Sequence, residues 1–222
     1  MERHFDEELQ QLHKAILKMG VMAQEAIKRS IDALINRDKA QAQDVINQDR
    51  KVDQLELIID ERCVDLIARY QPMAVDLRFI ATGMKINADL ERIADLAVDI
   101  AERVLELVDK PLLKPLIDTP KLSSVAQNMV RDAIDAFVKK DVELAKQVVL
   151  SDTQADKLRN LIQDELINDY MAKDATTASR AVPLLLIARY LERICDHATN
   201  IAEDVIYMVQ AKVVKHHPEE LT

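Results

Sequence analysis

Asp49 and Asp53 stand four residues apart, as do Glu91 and Asp95. About 100 residues later the same spacings return as Asp152 and Asp156, then Glu192 and Asp196. On a helix, residues four apart share one face, one turn apart. Asp99 and Asn200 extend the second stripe of each half by a further turn. Like charges at this spacing cost a few tenths of a kcal/mol per pair, about 0.2–0.5. If the helix carrying the first pair lies beside the helix carrying the second, four carboxylates face one another, and a cation between them relieves the repulsion. Oxygen ligands on a rigid helical frame suit hard cations: magnesium, manganese, calcium or ferric iron, with zinc also accessible. The alternative is a solvated acidic face, with Arg92 and Arg193 as local counter-ions. A lone Asp-x-x-x-Asp among 39 acidic residues would favour that alternative. Recurrence on two helices, and again in the second half, is what brings metal binding into contention.

Other chemistry finds little support. Ferritin-like oxidases pair carboxylates with Glu-x-x-His inside a bundle, but Ile194 stands three before His197 and Gln10 three before His13. His197 follows Asp196 directly, so it is a candidate ligand or a partner for a carboxylate. His216 and His217 belong to a polar tail. The two glycines, Gly20 and Gly83, leave no Gly-rich phosphate loop, and there is no nucleophile elbow. Ser123, Ser124 and Ser151 read as helix caps. Cys63 and Cys195 fall in helical patterns and read as reduced, buried thiols.

The elements that must position the carboxylates are long helices. Apolar residues at helical spacing run through 5–36, and Asp38 then offers an N-cap for a second helix that stops before Pro72. A third helix is expected over 74–107, and three more over 121–139, 141–172 and 178–212. Helices of about 30 residues are about 45 Å long, which suits an elongated bundle. Composition agrees: 49% hydrophobic, 3% aromatic, no Trp, and 31% charged, the mark of aliphatic helical cores.

A net charge of −9 argues against a nucleic-acid partner, because a phosphate backbone needs a basic footprint. No apolar run approaches the roughly 18 residues of a membrane span, and Met1-Glu2-Arg3-His4 does not open a signal-peptide core.

The second half repeats the first. At a displacement of 103, Ile31/Ile134, Asp32/Asp135, Asp38/Asp141, Asp49/Asp152, Asp53/Asp156 and Leu55/Leu158 are among the identities. Near the end of each half the displacement becomes 101, and 10 of the 15 positions from Leu90 to Val104 match Leu191 to Val205. The two-residue slip belongs between the second and third helix. Pro111, Pro115 and Pro120 mark the joint. The expected organisation is an all-α chain of two tandem three-helix bundles: 1–108, a Pro-containing linker at 109–120, 121–212, and a solvated tail at 213–222.

The runs Ala68-Arg69-Tyr70-Gln71-Pro72, Asp76-Leu77-Arg78-Phe79-Ile80 and Asp89-Leu90-Glu91-Arg92-Ile93-Ala94-Asp95 resemble the PhoU family of phosphate-signalling proteins. So does the run from Ile187 to Glu203. The resemblance covers about residues 5–210 in duplicated order. It implies a cytoplasmic, commonly dimeric protein that represses the phosphate-starvation response and catalyses no reaction. Its implied partners are components of the phosphate ABC transporter and the sensor histidine kinase of the phosphate two-component system, so that membranes are approached only through partners. Some members bind multinuclear clusters of iron or other metals through their Glu/Asp-x-x-x-Asp motifs. Carried over by position, those are Asp49, Asp53, Glu91 and Asp95, then Asp152, Asp156, Glu192 and Asp196. The family often has Gly-Asp-His after Glu-Arg-Ile. Here Ala94-Asp95-Leu96 and Cys195-Asp196-His197 stand instead, so the two sites need not be equivalent. A carboxylate-bridged metal enzyme and a purely structural helical scaffold remain the competing readings.

Overall fold

The structure, a computed structural model, describes residues 2–214. Six long helices account for most of them: α1 (Glu2–Asn36), α2 (Lys39–Tyr70), α3 (Ala74–Leu107), α4 (Asp118–Lys139), α5 (Val142–Asp164) and α6 (Ala178–Gln210). The described residues contain no strand, and the all-α expectation holds. The tail from 215 onward lies outside the described residues. No helix among them is long and apolar enough to cross a membrane.

Helix ends follow local chemistry, and the repeat extends to them. The carboxylates of Asp38 and Asp141 accept from the backbone N–H of Gln41 (2.9 Å) and Leu144 (3.0 Å), capping α2 and α5. Arg37 and Lys140 take left-handed backbone conformations just before those caps. Gly is the usual residue there; at position 37 an arginine stands instead, and its guanidinium donates to the carbonyl of Val108 at 2.6 Å and so ties the α1–α2 turn to the end of α3. α4 starts at Asp118, three residues before the expected position. Pro120 falls in its first turn, where a missing N–H costs nothing.

The three serines are not caps. Ser124 and Ser151 donate back to the carbonyls of Pro120 and Gln147 within their helices. Ser123 is buried and accepts from Gln127. A hydroxyl that bonds the preceding turn is a competing use of the same side chain.

Beyond α5 the second half departs from the first. Residues Glu165–Met171 form a π-helical turn and Ala175–Thr177 a 3-10 turn, where the first half has continuous α-helix and a short break. Lys114, a buried residue of the inter-unit connection, forms an ion pair with Glu165 at the start of that π turn.

Each unit packs its three helices on one another, and the units join through α1 against α4 and α3 against α6. One continuous aliphatic core runs through both. α3 and α6 are antiparallel: Arg78 reaches the Met208 carbonyl, Lys85 pairs with Asp204, and Lys110 reaches the Ser179 carbonyl. Both glycines mark close helix crossings. A Cβ on Gly20 would lie 2.5 Å from Ile134 Cδ1, and one on Gly83 3.0 Å from Ile16 Cδ1. α2 and α5 are the outer helices, so each unit keeps a groove between its outer helix and its seam helix.

Candidate metal centre

The first groove brings its carboxylates together. Asp49 and Asp53 project from α2 and Asp95 from α3, and these three offer oxygens that all lie within 4.8 Å of one another. This is the one such group of three or more metal-ligating side chains among the described residues. Asp49 is half-buried, and its Oδ1 is shut off from solvent without a hydrogen-bond partner. Burial first, then the charges of Asp53 and Asp95, push its carboxyl up to about 6. Glu91 is raised by burial, then by Asp95, Glu56 and Asp53, with Arg92 opposing. Arg92 lies 3.6 Å from Glu91 and 3.7 Å from Asp95, but it is mostly exposed and a weak counter-ion. An orphaned buried oxygen among crowded carboxylates is the chemistry a hard cation satisfies, so these residues fit one.

Glu56 continues the α2 stripe one turn beyond Asp53 and is itself raised by burial, Asp60 and Asp53. Sequence reasoning stopped at Asp53. The signal was present: Asp49, Asp53, Glu56 and Asp60 follow helical spacing.

In the second groove Asp152, Asp156, Glu192 and Asp196 also face one another. Asp152 is pushed up to about 6 by burial, then by Asp196, Asp156 and Glu192. Partial desolvation, Glu192 and Asp156 raise Asp196. The position matching Glu56 is Arg159. Its guanidinium donates to Glu192 at 3.1 Å and lies 3.9 Å from Asp156. The second groove therefore carries a fixed cation of its own.

Asp99 and Asn200 sit toward the α3–α6 seam. Asp99 is raised by burial, Glu102 and Asp95, and is lowered by Arg103 and by Arg193 from across the seam. Asn200 donates to Asp89 Oδ1 at 3.4 Å, and His197 Nδ1 meets the same oxygen at 2.8 Å. His197 thus partners a carboxylate of the other unit. Cys63 and Cys195 are buried, free thiols. Burial pushes the Cys63 thiol up to about 12 and raises that of Cys195 further, so each acts as a small apolar side chain.

The PhoU domain family matches twice, over residues 16–104 and 119–205. A phosphate-specific transport system accessory protein PhoU homolog of Aquifex aeolicus is 40% identical over 209 residues, covering 94% of each chain. A homolog of the same name from Pseudomonas putida is 37% identical over 97% of this chain and 84% of its own. The crystal structure of PhoU from Pseudomonas aeruginosa superposes with a TM-score of 0.90 at 37% identity, covering 94% of this chain and all of that one. With both matched segments spanning the two three-helix units, this chain belongs to the PhoU family.

Proposed function

We propose that this chain is a cytoplasmic accessory regulator of phosphate uptake. In this reading it represses the phosphate-starvation response from between the phosphate ABC transporter and its sensor histidine kinase, working as a homodimer and catalysing no reaction. The observation that carries the reading is the full-length likeness to proteins named as accessories of the phosphate-specific transport system. Deletion of the gene should derepress alkaline phosphatase in phosphate-rich medium, with restoration by the intact gene. Reporter activity that stays repressed in the deletion would overturn the reading.

A metal ion belongs to this proposal. Asp49, Asp53 and Asp95 would hold it, with Glu91 and Glu56 closing the shell behind them. The ion would supply the positive charge that five crowded carboxylates lack. Iron, zinc, manganese and magnesium are the candidates, singly or as a cluster. The second set, Asp152, Asp156, Glu192 and Asp196, has that need met in part by Arg159, so the first unit is the stronger site. Asp99 and Asn200 serve the seam between units rather than the ion.

A further inference from the structure

A cavity of about 450 Å³ opens between α5 and α6 on the second unit. Three arginines line it: Arg159 from α5, and Arg189 and Arg193 one turn apart on α6. Gln163, Glu192 and Asp196 complete its polar wall. The corresponding positions of the first unit carry Glu56, Ala88, Arg92, Asp60, Glu91 and Asp95. Where the first unit sets one arginine against four carboxylates, the second sets three against two. The same place in the repeat has changed the sign of its charge.

These guanidiniums are not used up within the protein. Arg189 makes no hydrogen bond or ion pair among the described residues. Arg193 has no ion-pair contact among the described residues, although its charge acts on Asp99, Tyr190 and Asp196. Arg159 spends one nitrogen on Glu192 and another on Asn160, while its Nε is buried with no acceptor among the described residues. A planar carboxylate occupies one guanidinium fork. Three guanidiniums lining one cavity from two helices match a group with several oxygens and more than one negative charge.

We infer that this cavity binds a phosphate group, either free inorganic phosphate or a phosphoryl group carried on a partner protein. The site goes beyond the regulatory reading and is tested separately from it.

The experiment is calorimetric titration of the full chain with three probes: inorganic phosphate, a phosphorylated peptide, and the same peptide without its phosphate. Saturable binding of inorganic phosphate at one per chain is expected, reduced ten-fold or more by Arg189→Gln with Arg193→Gln and by Arg159→Gln. Titration in the presence of a chelator should leave it unchanged, which separates the cavity from any metal-bound phosphate. Binding of the phosphopeptide but not of the free ion would support the site and assign it to a partner's phosphoryl group. Thermal melts of each arginine variant establish that it is folded. Absence of saturable binding to every phosphate probe, or binding undiminished in the folded arginine variants, would overturn the inference.

Discussion

The two grooves descend from one sequence pattern, yet they solve the same electrostatic problem differently. Each sets two aspartates of an outer helix against a Glu and an Asp of a seam helix. In the first, Glu56 adds a fifth carboxylate and the nearest cation, Arg92, hangs in solvent. In the second, Arg159 sits at that position, half-buried and hydrogen-bonded to Glu192. One residue per repeat therefore decides whether a groove holds a fifth carboxylate or a cation of its own. Four recurring spacings are a weaker guide to a binding site than the Glu56/Arg159 position, where the repeats carry opposite charges.

The largest effect that would break this comparison is in metal content. Protein purified without chelator should carry metal that Asp49→Asn with Asp95→Asn abolishes, while Asp152→Asn with Asp196→Asn leaves most of it, as measured by plasma mass spectrometry. Equal losses from the two pairs would remove the distinction. Next comes the charge exchange itself. Arg159→Glu should strengthen metal binding in the second groove, and Glu56→Arg should weaken the first by ten-fold or more, about 1.4 kcal/mol. Titration of the metal-depleted variants measures both.

A third test concerns protons, and here the grooves should agree. Asp49 and Asp152 are both raised to about 6 from 3.8. The folded chain therefore holds these protons more tightly than the unfolded one. Their contribution to stability is complete below pH 3.8 and is lost as pH rises through 6. Chelated protein should lose thermal stability over that window, with Asp49→Asn and Asp152→Asn each flattening part of the slope. Added metal should compete with the proton more strongly at the first groove than at the second. The smallest effect separates the arginines. Arg159→Ala strips a half-buried carboxylate of its partner and should cost about 1 kcal/mol, between the exposed and buried limits. Arg92→Ala should stay within about 0.5 kcal/mol. Denaturant melts resolve the two.

Much of this architecture was legible in the residues. The aliphatic periodicity, the proline-marked joint and the paired caps at Asp38 and Asp141 are local signals, and local chemistry realises them. The first carboxylate cluster was legible because four-residue spacing fixes a helix face whatever the tertiary structure. What escaped depends on contacts between units. Asn200 looked like the last member of a stripe. It turns instead to Asp89, more than 100 residues away, with His197 beside it, and no spacing within α6 announces that partner. The serines failed for a related reason: a hydroxyl near a helix start serves equally well bonded to the turn behind it. Glu56 and Arg159 stand at corresponding positions but differ in charge, so identity between the repeats does not mark them.

The seam joins α1 to α4 and α3 to α6, each helix against its own counterpart. Two separate copies of one unit, meeting through such a surface, would form an isologous dimer and would carry every substitution twice. A single chain containing both copies is free of that rule. Position 56 could stay acidic while position 159 became basic, and Asp89 could face a histidine with no histidine at position 96 in return. Covalent fusion thus turns a symmetric pair into two compartments able to specialise, held in fixed register by a shared core.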